Sequence, residues 1–303
     1  MMQNTVHLLM IQPVNFGFNS ETAVNNAFQK NIGGDLHQMA LQEFSDFVEL
    51  MQKNKIDVIV VEDSLHPYTP DSIFPNNWIS FHADGRVFLY PMFAVNRRLE
   101  RKSAVLDLVK NEFLVTEIID LTQSESDGLF LEGTGSMVLD REHKIAYACL
   151  SPRTNEKLLN DFCKLADFTP VTFRATDHTG VDIYHTNVMM CVAKTFTVVC
   201  LESVTDKTEK ENLINTLIKT DKVIVDISLQ QLNHFAGNML QVINEAGELL
   251  LVMSTQAYQS LTVTKIEILQ KHNRIIHSSL NTIETVGGGS ARCMIAEVFL
   301  KKL

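Results

Sequence analysis

Apolar residues recur along this chain in two rhythms. Over 35–53, 96–110, 154–167, 206–219 and 254–271 they return every three or four positions, the spacing that lines one face of a helix. Between these stretches run short apolar or alternating segments with the period of a strand: 7–12, 57–62, 78–82, 86–92, 113–121, 145–150, 187–193, 196–204, 222–228, 248–254 and 294–300. The helices stand about 50–60 residues apart, so each period holds one helix and two or three strands. Strands alternating with helices predict an α/β fold. Even helix spacing predicts a repeated supersecondary unit, although no shared motif marks the repeats. On spacing alone, a plain open α/β sheet is the alternative. No low-complexity segment or Pro/Gly-rich linker interrupts the pattern, so 1–303 reads as a single domain.

Composition narrows the function classes. The chain has 303 residues, of which 45% are hydrophobic and 20% charged, an ordinary globular balance with ample material for a core. No apolar run approaches the ~18–20 residues of a membrane span. The N-terminus shows neither the basic region nor the small-residue cleavage site of a secretory signal. Five cysteines, at 149, 163, 191, 200 and 293, are an odd number without repeated spacing, which argues against a disulfide scaffold and for a reducing cytoplasm. A net charge of −10 disfavours nucleic acid as a partner, so any anion-binding site has to be local. The ten histidines show neither His-Glu-x-x-His nor Cys/His pairing at ligand spacing, so no metal or other cofactor is expected.

Candidate chemistry gathers at five places. Val286-Gly-Gly-Gly-Ser-Ala-Arg-Cys293 delivers a cysteine to the entrance of the strand predicted over 294–300, beside Arg292. Positive charge and backbone N–H groups lower the pKa that governs a thiol's reactivity. A buried inert cysteine is the common alternative, and it suits Cys149, Cys163, Cys191 and Cys200, which lie inside apolar segments. His185, in Tyr184-His-Thr-Asn187, stands at the entrance of the strand predicted over 187–193, where it can serve as general acid/base or simply as a hydrogen-bonded structural residue. Glu132-Gly-Thr-Gly-Ser136 presents a carboxylate followed by glycines, either a turn or a grip on an N–H-rich ligand. Phe74-Pro-Asn-Asn-Trp78 places Asn76 and Asn77 between aromatics, suited to holding a small polar group or to making a turn. Arg97, Arg98 and Arg153 are candidate anchors for a substrate carboxylate, and a solvated helix start is the plainer reading of Arg97 and Arg98.

The order of these pieces is more specific than any one of them. Phe-x-Asn-Asn, Asn-x-x-x-Glu with arginines, Glu-Gly-x-Gly, Ser-x-Arg-Thr-Asn, His-x-Asn and a Gly-rich terminal Cys, taken together, resemble the guanidino-group-modifying enzymes, from about Phe16 to the C-terminus. The superfamily includes arginine deiminases, dimethylarginine hydrolases and amidinotransferases. The chain looks most like its citrulline-utilisation branch of amidinotransferase-like hydrolases, or citrulline ureidases. The resemblance implies a five-bladed pseudo-symmetric α/β propeller, the pentein, built of ββαβ-type repeats, a fold that suits the five-period helix spacing. It also implies that Cys293 is the nucleophile and His185 the general acid/base. Glu132 would hold the substrate's nitrogen, and Arg97 or Arg98 with Arg153 would take its α-carboxylate.

Two positions depart from the arginine-using pattern, with Asn77 and Asn187 standing where aspartates are expected. The Gly-Gly-Asp after the family's Glu is also altered here, to Gly133-Thr-Gly-Ser136. A guanidinium is a cation that only donates hydrogen bonds, whereas a ureido group is neutral and carries an acceptor beside its donors. A carboxamide matches the second and a carboxylate the first. The expectation is therefore a small amino acid as ligand, citrulline ahead of arginine. The reaction would pass through a carbamoyl thioester on Cys293 to ornithine, ammonia and carbon dioxide. Arginine deiminase, dimethylarginine hydrolase, amidinotransferase and non-catalytic pentein binding module are the alternatives.

Overall fold

The computed structural model describes residues 2–303. Among them the strands form five three-stranded sheets, each assembled in the same way. In the second blade β3 (Ile79–Phe81) pairs antiparallel with β4 (Arg86–Leu89), and helix α2 (Ser103–Glu112) crosses back so that β5 (Glu117–Asp120) runs parallel to β4. The third repeats this with β6 (Val138–Asp140), β7 (Ile145–Cys149), α3 (Glu156–Ala166) and β8 (Thr169–Phe173). The fourth uses β9 (Met190–Val192), β10 (Phe196–Val199), α4 (Lys207–Lys219) and β11 (Val223–Asp226). The fifth uses β12 (Leu240–Ile243), β13 (Leu249–Ser254), α5 (Val263–Gln270) and β14 (Arg274–Ser278). The first blade closes the ring. Its middle strand β1 (His7–Gln12) runs parallel to β2 (Asp57–Glu62) after α1 (Leu36–Lys53), and its inner strand β15 (Ala296–Val298) comes from the other end of the sequence, with Leu8 opposite Glu297. This is the five-bladed α/β propeller, or pentein, that the resemblance implied.

Why the middle strands read as unbroken apolar runs is clear from their neighbours. Successive side chains of a strand point to opposite faces, and here both faces are buried between blades. Leu8 and Met10 pack with Leu250 and Val252 of the fifth blade, while Leu9 and Ile11 pack with Ile79 and Val87 of the second. Tyr147 and Cys149 likewise face the fourth blade, and Ala146 and Ala148 the second. The core is thus a ring of inter-blade seams. Each α-helix adds one stripe; α1 buries Ala40, Phe44, Phe47, Val48 and Met51, each large side chain contributing about 1.5–3 kcal/mol.

The helix boundaries show where periodicity misleads. Asp35, Asn155 and Asp206 cap α1, α3 and α4 with their side chains, close to the predicted starts. The helix expected over 96–110 is instead a 3₁₀ turn, Asn96–Glu100, broken from α2. Arg97 turns inward to pair with Glu100 three residues on, which fits the tighter turn, and Lys102 is extended. The stretch 254–271 is two helices, Thr255–Ser260 and α5, because Ser254 and Thr262 each cap a new start. The strand expected over 187–193 begins only at Met190; Thr186–Met189 is a short helix with His185 as its N-cap. The segment 196–204 ends as a strand at Val199 and continues as the turn Leu201–Ser203. Strands β6, β8, β12 and β14 fall outside every predicted segment. No helix among the described residues is long and apolar enough to cross a membrane.

Candidate active site

The short inner strands converge near the ring's axis, where β15 adjoins β3 and β9 adjoins both β6 and β12. The chain entering each inner strand carries a polar residue to that centre. Asn77 stands two residues before β3, Asn238 two before β12, Asn187 three before β9 and Cys293 three before β15. In the third blade Glu132 leads into the short helix Gly133–Ser136 that precedes β6. Four of the five blades bring a thiol or a carboxamide, and the remaining one a carboxylate.

Cys293 is 3% exposed and lines a narrow cleft. Phe74, Asn77, Arg97, Arg153, Tyr184 and His185 line it too, as do Gly287–Gly289, Thr22, Asn26 and Asp71. A larger open depression of about 930 Å3 lies elsewhere, bordered by Ser228, His234 and Lys265, and its lining holds no cysteine. Two carboxamides donate toward the thiol, Asn238 Nδ2 at 3.2 Å and Asn187 Nδ2 at 3.4 Å from Sγ. Asn238 is itself fixed, since its Oδ1 accepts the Arg292 N–H at 3.0 Å and its Nδ2 also donates to the Asn187 carbonyl at 2.8 Å. Burial pushes the Cys293 thiol up; the Ser290 backbone bond, Asn238, the Arg292 charge and Asn187 all pull it back.

Glu132 lies behind His185 and does not border the cleft. Its Oε2 sits 2.8 Å from His185 Nε2 and 3.5 Å from Arg153 Nη1, and its Oε1 accepts the Phe93 N–H at 2.9 Å. Burial alone would raise this carboxyl, but Arg153, the His185 bond and charge, and Arg97 together hold it down to about 2. With an ionised partner on Nε2, that nitrogen carries the proton and Nδ1 is left as the acceptor. His185 is pushed down to about 4, first by burial and then by the Arg153 and Arg97 charges, against the pull of Glu132. The imidazole is therefore neutral at pH 7.

The arginines separate cleanly. Arg97 is fully buried rather than part of a solvated helix start. It grips Glu100 with two bonds of 2.9 Å and donates to Asn77 Oδ1 at 2.8 Å and to the Phe74 carbonyl at 3.2 Å. Arg153 stacks over Tyr184 and donates to Asn25 Oδ1 and the Thr22 carbonyl. Arg98, by contrast, turns away to the Met92 carbonyl and Glu125 and does not reach the cleft. Asn77 borders the cleft; Asn76 sits behind it and accepts the Asn77 Nδ2–H at 3.1 Å.

Sequence reasoning missed Asp71 and Asn238, and gave the 13–26 loop no residue-level role. Asp71 Oδ2 accepts from Asn19 and Thr22, while its buried Oδ1 has no partner among the described residues. Asn187 Oδ1 is similarly unpartnered. The only signals were an acid three residues before Phe74, and Gly237-Asn238 at the head of a strand. From the loop, Asn26 Nδ2 and Tyr184 OH both donate to the Gly288 carbonyl, at 3.3 and 2.5 Å. Gly288 has φ +66°, a left-handed conformation that glycine adopts without strain. No group of three His, Cys, Asp or Glu among the described residues could hold a metal ion.

The sequence model of eukaryotic N,N dimethylarginine dimethylhydrolase matches residues 12–300. The chain belongs to this family. It is accordingly an enzyme of the pentein guanidino-modifying hydrolases. In three dimensions it is similar to ArgZ, an arginine dihydrolase from the ornithine-ammonia cycle in cyanobacteria, with TM-score 0.77 and 19% identity over 98% of this chain and 41% of that one. The N-terminal domain of ArgZ bound to substrate gives TM-score 0.75 and 19% identity over 97% and 99% of the two chains. A dimethylarginine dimethylaminohydrolase adduct with 4-chloro-2-hydroxymethylpyridine gives 0.66 and 14% over 96% and 98%. This chain thus spans about two fifths of full-length ArgZ, matching its N-terminal domain. No curated protein matches the sequence.

Proposed function

We propose that this family member hydrolyses the ureido group of citrulline, giving ornithine, ammonia and carbon dioxide. The observation that carries the reading is the set of carboxamides at the nucleophile. Asn77 Oδ1 is taken by Arg97 and Asn238 Oδ1 by Arg292, while two amide N–H groups point toward Sγ. A guanidinium placed there would meet donors with its own donors. A ureido oxygen would meet them as an acceptor.

In this reading Cys293 adds to the ureido carbon, forming the S–C bond and shifting the C=O electron pair to oxygen. Asn187 and Asn238, already aimed at the sulfur, help stabilise that oxyanion, together with N–H groups of the Gly287–Ser290 turn; the Gly288 N–H is spent on the Glu284 carbonyl. The neutral His185 takes the thiol proton on Nδ1 and returns it to the departing δ-nitrogen as the C–N bond breaks, and Glu132 steadies the imidazolium between these steps. Ornithine leaves a carbamoyl thioester. Water attacks it with His185 as base, releasing carbamic acid, which falls apart to ammonia and carbon dioxide. Arg97 and Arg153 suit the α-carboxylate, and the unpartnered Oδ1 of Asp71, which also lines the cleft, suits the α-ammonium. The reading keeps a single domain over 1–303.

Arginine or dimethylarginine is the second reading, the first supported by the likeness to the arginine dihydrolase ArgZ and the second by the family match. Supplying L-citrulline, L-arginine and N,N-dimethylarginine separately, with Cys293→Ala as the blank, distinguishes them. Ornithine from citrulline, absent in the blank, is expected; citrulline accumulating from arginine with none consumed would overturn the reading.

A further inference from the structure

The mechanism above leaves one buried carboxyl beside the nucleophile loop without a task. Glu284 is 2% exposed and lies in a single π-helical turn, Ile283–Gly287, that runs directly into the glycines before Cys293. Its Oε1 accepts the Ser290 hydroxyl at 2.5 Å, and its Oε2 accepts Gln256 Nε2 at 2.9 Å. Ser290 is wholly buried, and its carbonyl accepts the Cys293 N–H at 2.9 Å. The Glu284 carbonyl accepts the N–H of left-handed Gly288 at 3.1 Å. Behind it, Glu43 of α1 accepts the N–H groups of Thr282 and Ile283 and so anchors the start of the same turn. One residue therefore ties the fifth blade, through Gln256, to the glycine turn, by its carboxylate at Ser290 and by its backbone carbonyl at Gly288.

We propose that Glu284 is a positioning residue for the nucleophile, clamping the Gly287–Ser290 turn through Ser290 so that Cys293 is held under the cleft. The proposal rests on Cys293 being the nucleophile, whichever substrate it attacks. The clamp is tightest when Glu284 is ionised, because hydrogen bonds to a carboxylate are shorter and stronger than those to a neutral acid. Burial, with Glu43 adding to it, raises this carboxyl to about 7, against the pull of Ser254, Ser290 and Gln256. The other charged or titratable groups bordering its outer side are Lys30, Asp177 and His178. Ionisation near neutrality separates this group from His185, which is held down to about 4, and from Cys293, which is pushed up.

The test uses the full chain and two readouts. Alkylation of Cys293 by iodoacetamide, followed by peptide mass spectrometry from pH 5.5 to 8.5, needs no substrate. Turnover of citrulline and of arginine over the same range gives kcat and KM. The wild type is expected to show a limb near pH 7 in both readouts. Glu284→Gln should flatten that limb and lower kcat at pH 8 about tenfold with KM little changed, the order that one hydrogen bond to a charged group carries. Ser290→Ala should match it, and the double variant should be no worse than the poorer single, all with circular dichroism of the folded protein. A limb that persists in both variants, or losses that multiply in the double, would overturn the proposal. Absence of turnover on either substrate with the alkylation pattern intact would count against the substrate assignment and leave the clamp standing.

Discussion

Gly135→Ala is a sharp test of the site geometry, because a single methyl group is aimed at two side chains at once. Gly135 lies in the short helix before β6, and a Cβ built there stands 2.4 Å from Asn77 Nδ2 and 2.7 Å from His185 Nδ1. Ordinary contact begins at 3.4 Å, so Asn77 has to retreat by about 1.0 Å and His185 by about 0.7 Å. Neither retreats freely: Asn77 is held by Arg97 at 2.8 Å and His185 by Glu132 at 2.8 Å. The backbone at Gly135 has no positive φ, so the strain falls on the site rather than on the turn. Overpacking of this kind costs about 1–3 kcal/mol, a shift of a few degrees in a chain of this size. Misplacing a reacting group by about 1 Å costs roughly 10²-fold in rate. The variant should therefore fold, melt slightly lower, and lose about two orders of magnitude in kcat for citrulline and arginine alike. Steady-state kinetics beside a thermal melt by circular dichroism measure both. A folded Gly135→Ala with wild-type kcat would show that Asn77 and Nδ1 of His185 need not occupy these positions.

Other consequences are equally direct. Asn77→Asp places a carboxylate where Arg97 can still donate to it, and should raise the kcat/KM of arginine relative to citrulline by about tenfold or more, since a charge pair near 4 Å is worth more than 1.4 kcal/mol at a protein's effective dielectric. An unchanged ratio would mean that this position does not read substrate charge. Arg153→Ala should raise the KM for citrulline about 100-fold, whereas Arg98→Ala, outside the cleft, should leave it within about twofold; equal effects would contradict the placement of the two side chains. His185 is held down to about 4 against an ordinary 6.5, so the folded state binds its proton less readily than the unfolded chain. Its contribution to stability is fully present above pH 6.5 and is lost as pH falls to 4, by about 3 kcal/mol in total. Urea unfolding at pH 7 and pH 4.5 should show a smaller acid loss in His185→Gln than in wild type, and equal losses would mean the buried imidazole is charged.

How much of this was legible in advance depends on whether the signal was local. Runs such as Leu8–Ile11 and Leu249–Met253 announced the middle strands because burial on both faces removes polar residues from them. The inner strands were harder: Val138–Asp140 is three residues long with a buried aspartate, and its place is set by pairing with Tyr147, not by its own composition. Cys293 and His185 stood out through the glycines and turn residues around them, and both come to the centre. Glu132 also comes there, but one layer back, because its partners Arg153 and Phe93 lie on other segments. Nothing local separates Arg97 from Arg98. Only the fold shows that one faces Glu100 and the cleft while the other faces Glu125. Asn238 and Asp71 were silent for the same reason, since a carboxamide in a turn is common until a thiol is found 3.2 Å away.

The way the ring closes has a consequence for when the enzyme can act. β15 completes the first blade by pairing with β1, across nearly the whole length of the sequence, and Cys293 stands three residues before β15. Such a distant pairing carries the loop-closure entropy of nearly the whole chain. Glu132 and His185 stand on segments leading into the third and fourth blades, so the approach of Cys293 to them depends on that pairing. The thiol is thus brought to Asn187, Asn238 and the cleft by a seam between the two ends of the sequence, and a chain cut short of β15 would lack that seam.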